Sequence, residues 1–329
     1  MSQNVKIKFD DIFDNKLSSD EVLKYLIELH EKGETSDEIA SAASSMRDHM
    51  IKLQFDGETT DKLMDNCGTG GDKSNSFNIS TTVSMVLASC GVLVAKHGNR
   101  SITSNSGSAD MLEALGVNLN ISLENQLQML KETGFVFMFA ANHHPAMKHI
   151  MPIRKQIPHR TIFNILGPLS NPANVSKQFI GVFDKSYVPI LADALIKLNT
   201  KRAMVVSSSD GMDEISISDL TYAALVSNKS YQEFVIDPRS YGLKLYPKDD
   251  ICGGDANFNA DITKGILSGD IIGAKLEIVL INSACALFVY GLVESIEDGI
   301  VMAQNAISSG KALQKLDQII AVSNKFWKT

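Results

Sequence analysis

Residues 65–81 read DNCGTGGDKSNSFNIST. Gly68, Gly70 and Gly71 sit almost side by side, and glycine reaches positive-φ conformations and close ligand approach at little cost. Leu63-Met64 before them is an apolar lead-in that reads as the end of a strand. After them Ile79, Val83, Val86 and Leu87 recur at helical spacing. The stretch therefore predicts a strand, a glycine turn, a polar segment and a helix start. Free N–H groups of such a loop, with the positive end of the helix dipole, form an anion site. Ser74, Ser76, Asn78, Ser80 and Thr81 add hydroxyl and amide groups that bond phosphate or a hard cation. The competing reading is a plain glycine turn followed by an Asn or Ser helix cap. The spacing has no GK[ST] ending and is not GxGxxG, so an ordinary nucleoside triphosphate or dinucleotide site is not what it predicts.

Working outward, strand, loop and helix signals alternate. The Ile79–Ser89 helix stops at Gly91. Strand Val92–Ala95 leads into Lys96-His97-Gly98-Asn99-Arg100. A polar loop, 101–108, precedes helices at 109–115 and 123–131, and strand 135–139 ends at Asn142-His143-His144-Pro145. Further strands are expected at 177–183, at 203–206 and, alternating, over 215–237. Helices are expected at 188–198 and through most of the chain from 255 onward. A short helix at 161–166 is expected to close at Gly167-Pro168. This alternation predicts an α/β fold with a mostly parallel central sheet and crossover helices. Ligands on such sheets bind beyond the carboxyl ends of the strands. Ahead of the first strand, residues 17–50 read as two helices. Ser18 or Ser19 caps the first, Gly33 stops it, and Thr35-Ser36-Asp37-Glu38 starts the second.

With 329 residues, 44% hydrophobic and 21% charged, the chain has an ordinary globular balance and material for a large core. A net charge of −7 argues against a general nucleic-acid binder. No uncharged apolar run reaches membrane-spanning length. The four cysteines, Cys67, Cys90, Cys252 and Cys285, form no CxxC pair, which predicts reduced thiols and a cytoplasmic protein.

Three clusters carry chemistry. KHGNR at a strand end offers a point charge and a bidentate fork to a polyanion. His97 within it is a candidate general base, with a hydrogen-bonded structural role as the alternative. Asp213-Glu214, after a glycine turn beyond a strand, suits magnesium, which takes a few carboxylates plus water and substrate phosphates. The alternative is a surface turn. Arg154, in an otherwise apolar stretch, could pair with a substrate carboxylate or with a structural acid.

Taken together, GTGGD (68–72), SFNIST (76–81), KHGNR (96–100), SGSAD (106–110), HPAMKHIMPIRK (144–155), RTIFNILGPLSNP (160–172), DGMDEIS (210–216) and the tail from GGDANFNA resemble anthranilate phosphoribosyltransferase. The resemblance runs in order from about residue 32 to 323. It implies transfer of phosphoribosyl from 5-phosphoribosyl 1-diphosphate (PRPP) to anthranilate, in tryptophan biosynthesis. It also implies a nucleoside phosphorylase/phosphoribosyltransferase-like fold: a small all-helical domain (1–62 with about 145–170) and a larger α/β domain (63–144 and 171–329). Magnesium and a homodimer through the helical domain are implied too. PRPP would be held by Gly68, Gly71, Asp72, Ser76, Asn78, Ile79, Ser80, Thr81, Lys96, His97, Gly98, Asn99, Arg100, Ser101, Ile102, Thr103, Ser104 and Ser108. Gly68, Asn99 and Arg154 would contact anthranilate, and Ser80, Asp213 and Glu214 would bind Mg2+.

The chain departs from the family pattern at Lys73, where Gly is usual, at Asn105, where Lys is common, and at Ser207-Ser208, where His-Gly is usual. Its N-terminal region is about one helix shorter than usual, which predicts weaker or altered self-association. A pyrimidine nucleoside phosphorylase of the same fold is the nearest rival. It gives KHGNR and Asp213-Glu214 no clear task. A homologue that has lost transferase activity and binds nucleic acid would show a basic face and eroded motifs, which this sequence lacks.

Overall fold

The computed structural model describes residues 1–101 and 105–326. The described residues form one seven-stranded sheet: β1 (Leu63–Asp65), β2 (Leu93–Gly98), β3 (Phe135–Phe139), β4 (Lys177–Gly181), β5 (Arg202–Ser208), β6 (Thr221–Ser227) and β7 (Ser230–Ile236). The strand order is β3-β2-β1-β4-β5-β6-β7. The pairs from β3 to β5 are parallel and the last two antiparallel. This is the mostly parallel α/β sheet expected. From β1 the chain winds one way through β2 and β3. It then returns to lay β4 on the other side of β1. The order reverses between β1 and β4, the point at which such sheets place their ligand crevice, at the carboxyl ends of the strands.

Two apolar masses sandwich the sheet. On one face the Ile79–Ser89 helix packs Val83 and Val86 with Ile278, Ile281 and Ala284 of the Ala274–Tyr290 helix and Leu316 of the Lys311–Lys325 helix. On the other, Phe9, Leu26 and Ile39 from the N-terminal helices join Ile150, Ile153, Phe163 and Leu166. The same mass includes Ile180, Val182, Leu191 and Val205, so the helical region is continuous with the back of the sheet.

The helix starts at residues 18 and 35 are capping boxes. Ser18 and Thr35 accept from the N–H groups of Glu21 and Glu38, whose carboxylates accept from the cap N–H groups in return. An additional helix, Gln3–Phe13, precedes them. Its buried face is only Phe9, Ile12 and Phe13, too short a period to stand out in the sequence.

Of the boundaries that differ from expectation, two bear on the site. Strand β2 extends through Lys96, His97 and Gly98, which pair with Phe137, Met138 and Phe139 of β3. The polar residues look like loop, yet the sheet carries them. The helix expected to close at Gly167-Pro168 runs Phe163–Leu169 and includes both residues. Its end is set by tertiary partners: His97, Gln178 and Arg47 donate to the carbonyls of Gly167, Pro168 and Leu169.

Candidate active site

The floor of the β1/β4 crevice is a buried polar network. The Asp65 carboxylate accepts the His97 N–H at 3.2 Å and the Asn171 amide at 2.7 Å. Burial pushes its pKa up, and the Lys96 ammonium opposes that shift. Lys96 itself is 1% exposed. Its Nζ donates to the Asn66 carbonyl at 3.2 Å and lies 3.4 Å from Ser80 Oγ. Asn66 Nδ2 donates to the Ser80 carbonyl at 2.7 Å, which ties the first turn of the following helix to β1. Beneath the loop, Cys67 is a buried thiol pushed well up by burial and Asp65.

Above this floor the glycine loop turns through positive φ at Gly70, Gly71, Lys73 and Asn75. The Thr69 N–H donates to the Gly181 carbonyl at 2.9 Å, joining the ends of β1 and β4. The Gly70 N–H donates to Asp213 Oδ2 at 2.7 Å. Arg160 donates to the Gly71 carbonyl and lies over the Phe183 ring.

Asp213 and Glu214 meet the loop from the β5 side. Both carboxyls are pushed up, first by burial, then by a neighbouring acid: Asp72 for Asp213, and Asp213 for Glu214. Lys96 and the Ser80 N–H lower Glu214 only in part. Among the described residues Asp72 Oδ2 is buried with no hydrogen-bond donor, beside the Asp213 carboxyl. Crowded, desolvated carboxylates with an orphaned oxygen fit a cation. Among the described residues no group of three His, Cys, Asp or Glu side chains is placed to hold a metal alone. Magnesium bound here would therefore complete its shell with water and substrate phosphate.

The KHGNR residues divide in use. His97 is buried, its Nδ1–H donating to the Gly167 carbonyl at 3.1 Å, and its Nε2 lies 3.2 Å from His144 Nε2. Burial and the neighbouring His144 bring its pKa down to about 3. A ring so placed is neutral and a weak base. A Cβ on Gly98 would lie 2.3 Å from Ser108 Oγ and 2.7 Å from the Phe137 ring, so only glycine lets the strand pass there. The Asn99 carbonyl accepts from Ser108 Oγ at 3.2 Å. The Arg100 fork is engaged by Asp110 at 2.9 Å and by both oxygens of Glu113. Ser101 N–H donates to Asp110 Oδ2 at 3.0 Å. The expected contacts Ile102, Thr103 and Ser104 lie outside the described residues.

Arg154 ends the Met147–Arg154 helix. Its guanidinium lies 3.5 Å from Asn164 Oδ1 and 5.3 Å from the Phe163 ring centroid. Burial lowers its pKa, and it has no carboxylate partner among the described ion pairs. His143 bonds the Ile51 carbonyl at 2.8 Å. Residues to which the sequence reading gave no role of their own are Asp65, Asn66, Asn171, Asn164, Arg160 and Asn259; each lies inside a quoted stretch, yet only tertiary packing shows the partner it takes.

The family model described as the glycosyl transferase family, a/b domain, matches residues 60–313. The anthranilate phosphoribosyltransferase of Methanobrevibacter smithii is 45% identical over 315 residues, 96% of this chain and 92% of that protein. The crystal structure of anthranilate phosphoribosyltransferase from Thermus thermophilus matches with TM-score 0.92 and 33% identity, over 97% of this chain and 94% of that one. The Saccharomyces cerevisiae enzyme in complex with PRPP and Mg matches with TM-score 0.84 and 28% identity, over 93% of this chain and 86% of that one. This chain belongs to the anthranilate phosphoribosyltransferase family.

Proposed function

We propose that the protein transfers the 5-phosphoribosyl group of PRPP to the amine of anthranilate, giving N-(5-phosphoribosyl)anthranilate and pyrophosphate. The observation that carries the reading is the Arg154 guanidinium, desolvated and without a carboxylate partner among the described residues, which suits it to an aryl carboxylate. Gly68 and Asn99 complete that subsite. PRPP is held by the glycine loop and helix start (Gly68, Gly71, Asp72, Ser76, Asn78 to Thr81), by Lys96 to Ser104, and by Ser108. Backbone N–H groups at the helix start favour phosphate oxygens. Lys96 adds fixed positive charge beneath them. Arg100 acts through its pairing with Asp110 and Glu113, which ties it to the Ser108–Ala114 helix.

Ser80, Asp213 and Glu214 would hold Mg2+, whose charge would steady the diphosphate as it leaves. The PRPP and Mg bound to the yeast relative support this. An aryl amine is a weak nucleophile, so the site must align it with C1′ and exclude water. Attack at C1′ forms the C–N bond and breaks the C–O bond to pyrophosphate. The resulting anilinium is strongly acidic and needs no strong base, in keeping with a neutral His97. We read residues 1–62 with about 145–170 as the helical unit that carries Arg154 against the α/β unit. A homodimer through the helical unit belongs to the reading; sedimentation showing only monomer would remove it.

The test is the loss of anthranilate fluorescence on adding protein, PRPP and Mg2+, with EDTA as control. Loss that needs both PRPP and metal is the expected result. No loss from folded protein overturns the reading.

A further inference from the structure

The half of the phosphate loop after the glycines is not self-supporting. The Phe77 N–H donates to the Ile251 carbonyl at 3.2 Å and the Gly253 N–H to the Asn75 carbonyl at 2.9 Å, with Ser76 and Cys252 forming an antiparallel bridge. A Cβ on Gly253 would lie 2.6 Å from Phe77 Cα, so the two segments meet at backbone distance. Asn259, 2% exposed on the Ala256–Ser268 helix, stands at the centre of this contact. Its Nδ2 donates to Asn78 Oδ1 at 2.9 Å, and its Oδ1 accepts the Gly254 N–H at 2.8 Å. Asn78 Oδ1 also accepts from Ser106 Oγ at 3.2 Å, while Asn78 Nδ2 donates to the Ser106 carbonyl at 3.2 Å. One turn further on, the Thr82 and Thr263 hydroxyls lie 2.8 Å apart.

Asn78 is the N-cap of the Ile79–Ser89 helix, yet its side chain makes no capping hydrogen bond. Asparagine at that position ordinarily accepts from the N–H groups of the first turn. Here Asn259 and Ser106 use that oxygen. Asn78 therefore puts no cap on the first-turn N–H groups, the part of a helix that attracts phosphate; of these, the Ser80 N–H is turned to the Glu214 carboxyl.

We propose that Asn259 is a positioning residue for PRPP. By donating to Asn78 Oδ1 it stops Asn78 from capping its own helix and fixes the spacing between the loops at 76–81 and 105–108. The proposal rests on the reading of those loops as the PRPP site. Without the Asn259 donor, Asn78 turns to its own helix start, and the phosphate competes with it.

The test compares Asn259→Ala with Thr263→Val, which removes the second rung without touching the loop. PRPP affinity is measured by calorimetry, the anthranilate KM by fluorescence and the thermal midpoint in parallel. Asn259→Ala is expected to weaken PRPP about tenfold and to leave the anthranilate KM within about twofold. Thr263→Val is expected to lower the midpoint and leave PRPP affinity within about twofold. Asn259→Asp keeps the acceptor for Gly254 and loses the donor, so it should weaken PRPP as alanine does. In an Asn78→Ala background, Asn259→Ala should cost nothing further. Unchanged PRPP affinity in Asn259→Ala, or an equal loss in the Asn78→Ala background, overturns the proposal. If wild-type protein binds no PRPP, the substrate reading falls separately. Hydrogen exchange then decides the clamp: faster exchange at 105–108 and 252–254 in Asn259→Ala than in Thr263→Val supports it, and equal exchange overturns it.

Discussion

A Cβ placed on Gly181 would lie 1.5 Å from the carbonyl oxygen of Asp213. Gly68 faces the same residue from the other side, where a Cβ would fall 2.4 Å from Asp213 Oδ2. The acid loop after β5 thus threads between the ends of β1 and β4, and side chains at either glycine would push it out. Neither residue is among the positive-φ glycines, so close approach is the reason for both. Gly181→Ala should displace the Asp213 backbone. About a hundredfold loss in kcat/KM is expected, in line with the effect of ångström-scale misplacement. Gly70, at φ +67 with nothing within 4 Å of a built Cβ, provides the contrast. Gly70→Ala should cost about 1–2 kcal/mol of backbone strain without a steric clash. Steady-state kinetics and thermal midpoints of the two variants separate the effects. Full activity in Gly181→Ala would show that the acid loop is not held by this contact.

Lys73 is exposed and sits at φ +59, inside a run of left-handed residues that includes Asn75 at φ +56. Among the described residues its side chain gains no partner that would offset that strain. Two substitutions separate backbone from charge. Lys73→Asn tolerates the left-handed conformation and removes the cation; Lys73→Gly removes both strain and cation. Each should raise the PRPP KM about threefold at low ionic strength, and the difference should vanish in high salt, as for an exposed charge. A KM that changes only in Lys73→Gly would make loop stiffness the cause.

The buried histidine pair sets an acid limit on stability. Burial lowers His97 to about 3 and His144 to about 4, each from 6.5. The unfolded chain therefore binds more protons than the native one between those values and 6.5. Stability from both rings is complete above 6.5 and is lost as pH falls. On the order of 1–2 kcal/mol per ring should go between pH 7 and pH 5. The thermal midpoint should fall over that range, and His144→Asn should show a shallower fall. An unchanged slope in His144→Asn would mean that other groups control the acid limb.

The sequence carried the sheet because strand, loop and helix signals alternate with clear glycine punctuation, and the helices from Ile79 and from Ser19 lie as expected. It was silent where polar residues are buried. Lys96 and His97 read as a strand-end loop because such side chains rarely sit inside a sheet; Asp65, Asn66 and Gly167 make that burial tolerable. The Phe163–Leu169 helix keeps Gly167-Pro168 because donors from distant segments cap it. Arg100 looked like a free fork, and two acids that follow it on the Ser108–Ala114 helix take it. Local spacing reports which groups are present; only packing decides which remain free for a ligand.

Arg154 is the sharpest case of a group left without an acid among the described residues. Its nearest polar neighbours are Asn164 Oδ1 and Met151 Sδ, both at 3.5 Å, and neither carries charge. A desolvated guanidinium without an acid is costly unless a ligand supplies one. Arg154→Ala should therefore remove a charged hydrogen bond to the anthranilate carboxylate, worth about 1.5–3 kcal/mol, or roughly 10- to 150-fold in kcat/KM for anthranilate. PRPP affinity should stay within about twofold, because the phosphate loop lies on other elements. Arg154→Lys keeps the charge and loses the planar fork, so it should fall between the two. Measuring both substrates in each variant checks this, since equal losses for PRPP and anthranilate would make Arg154 a structural residue of its helix end.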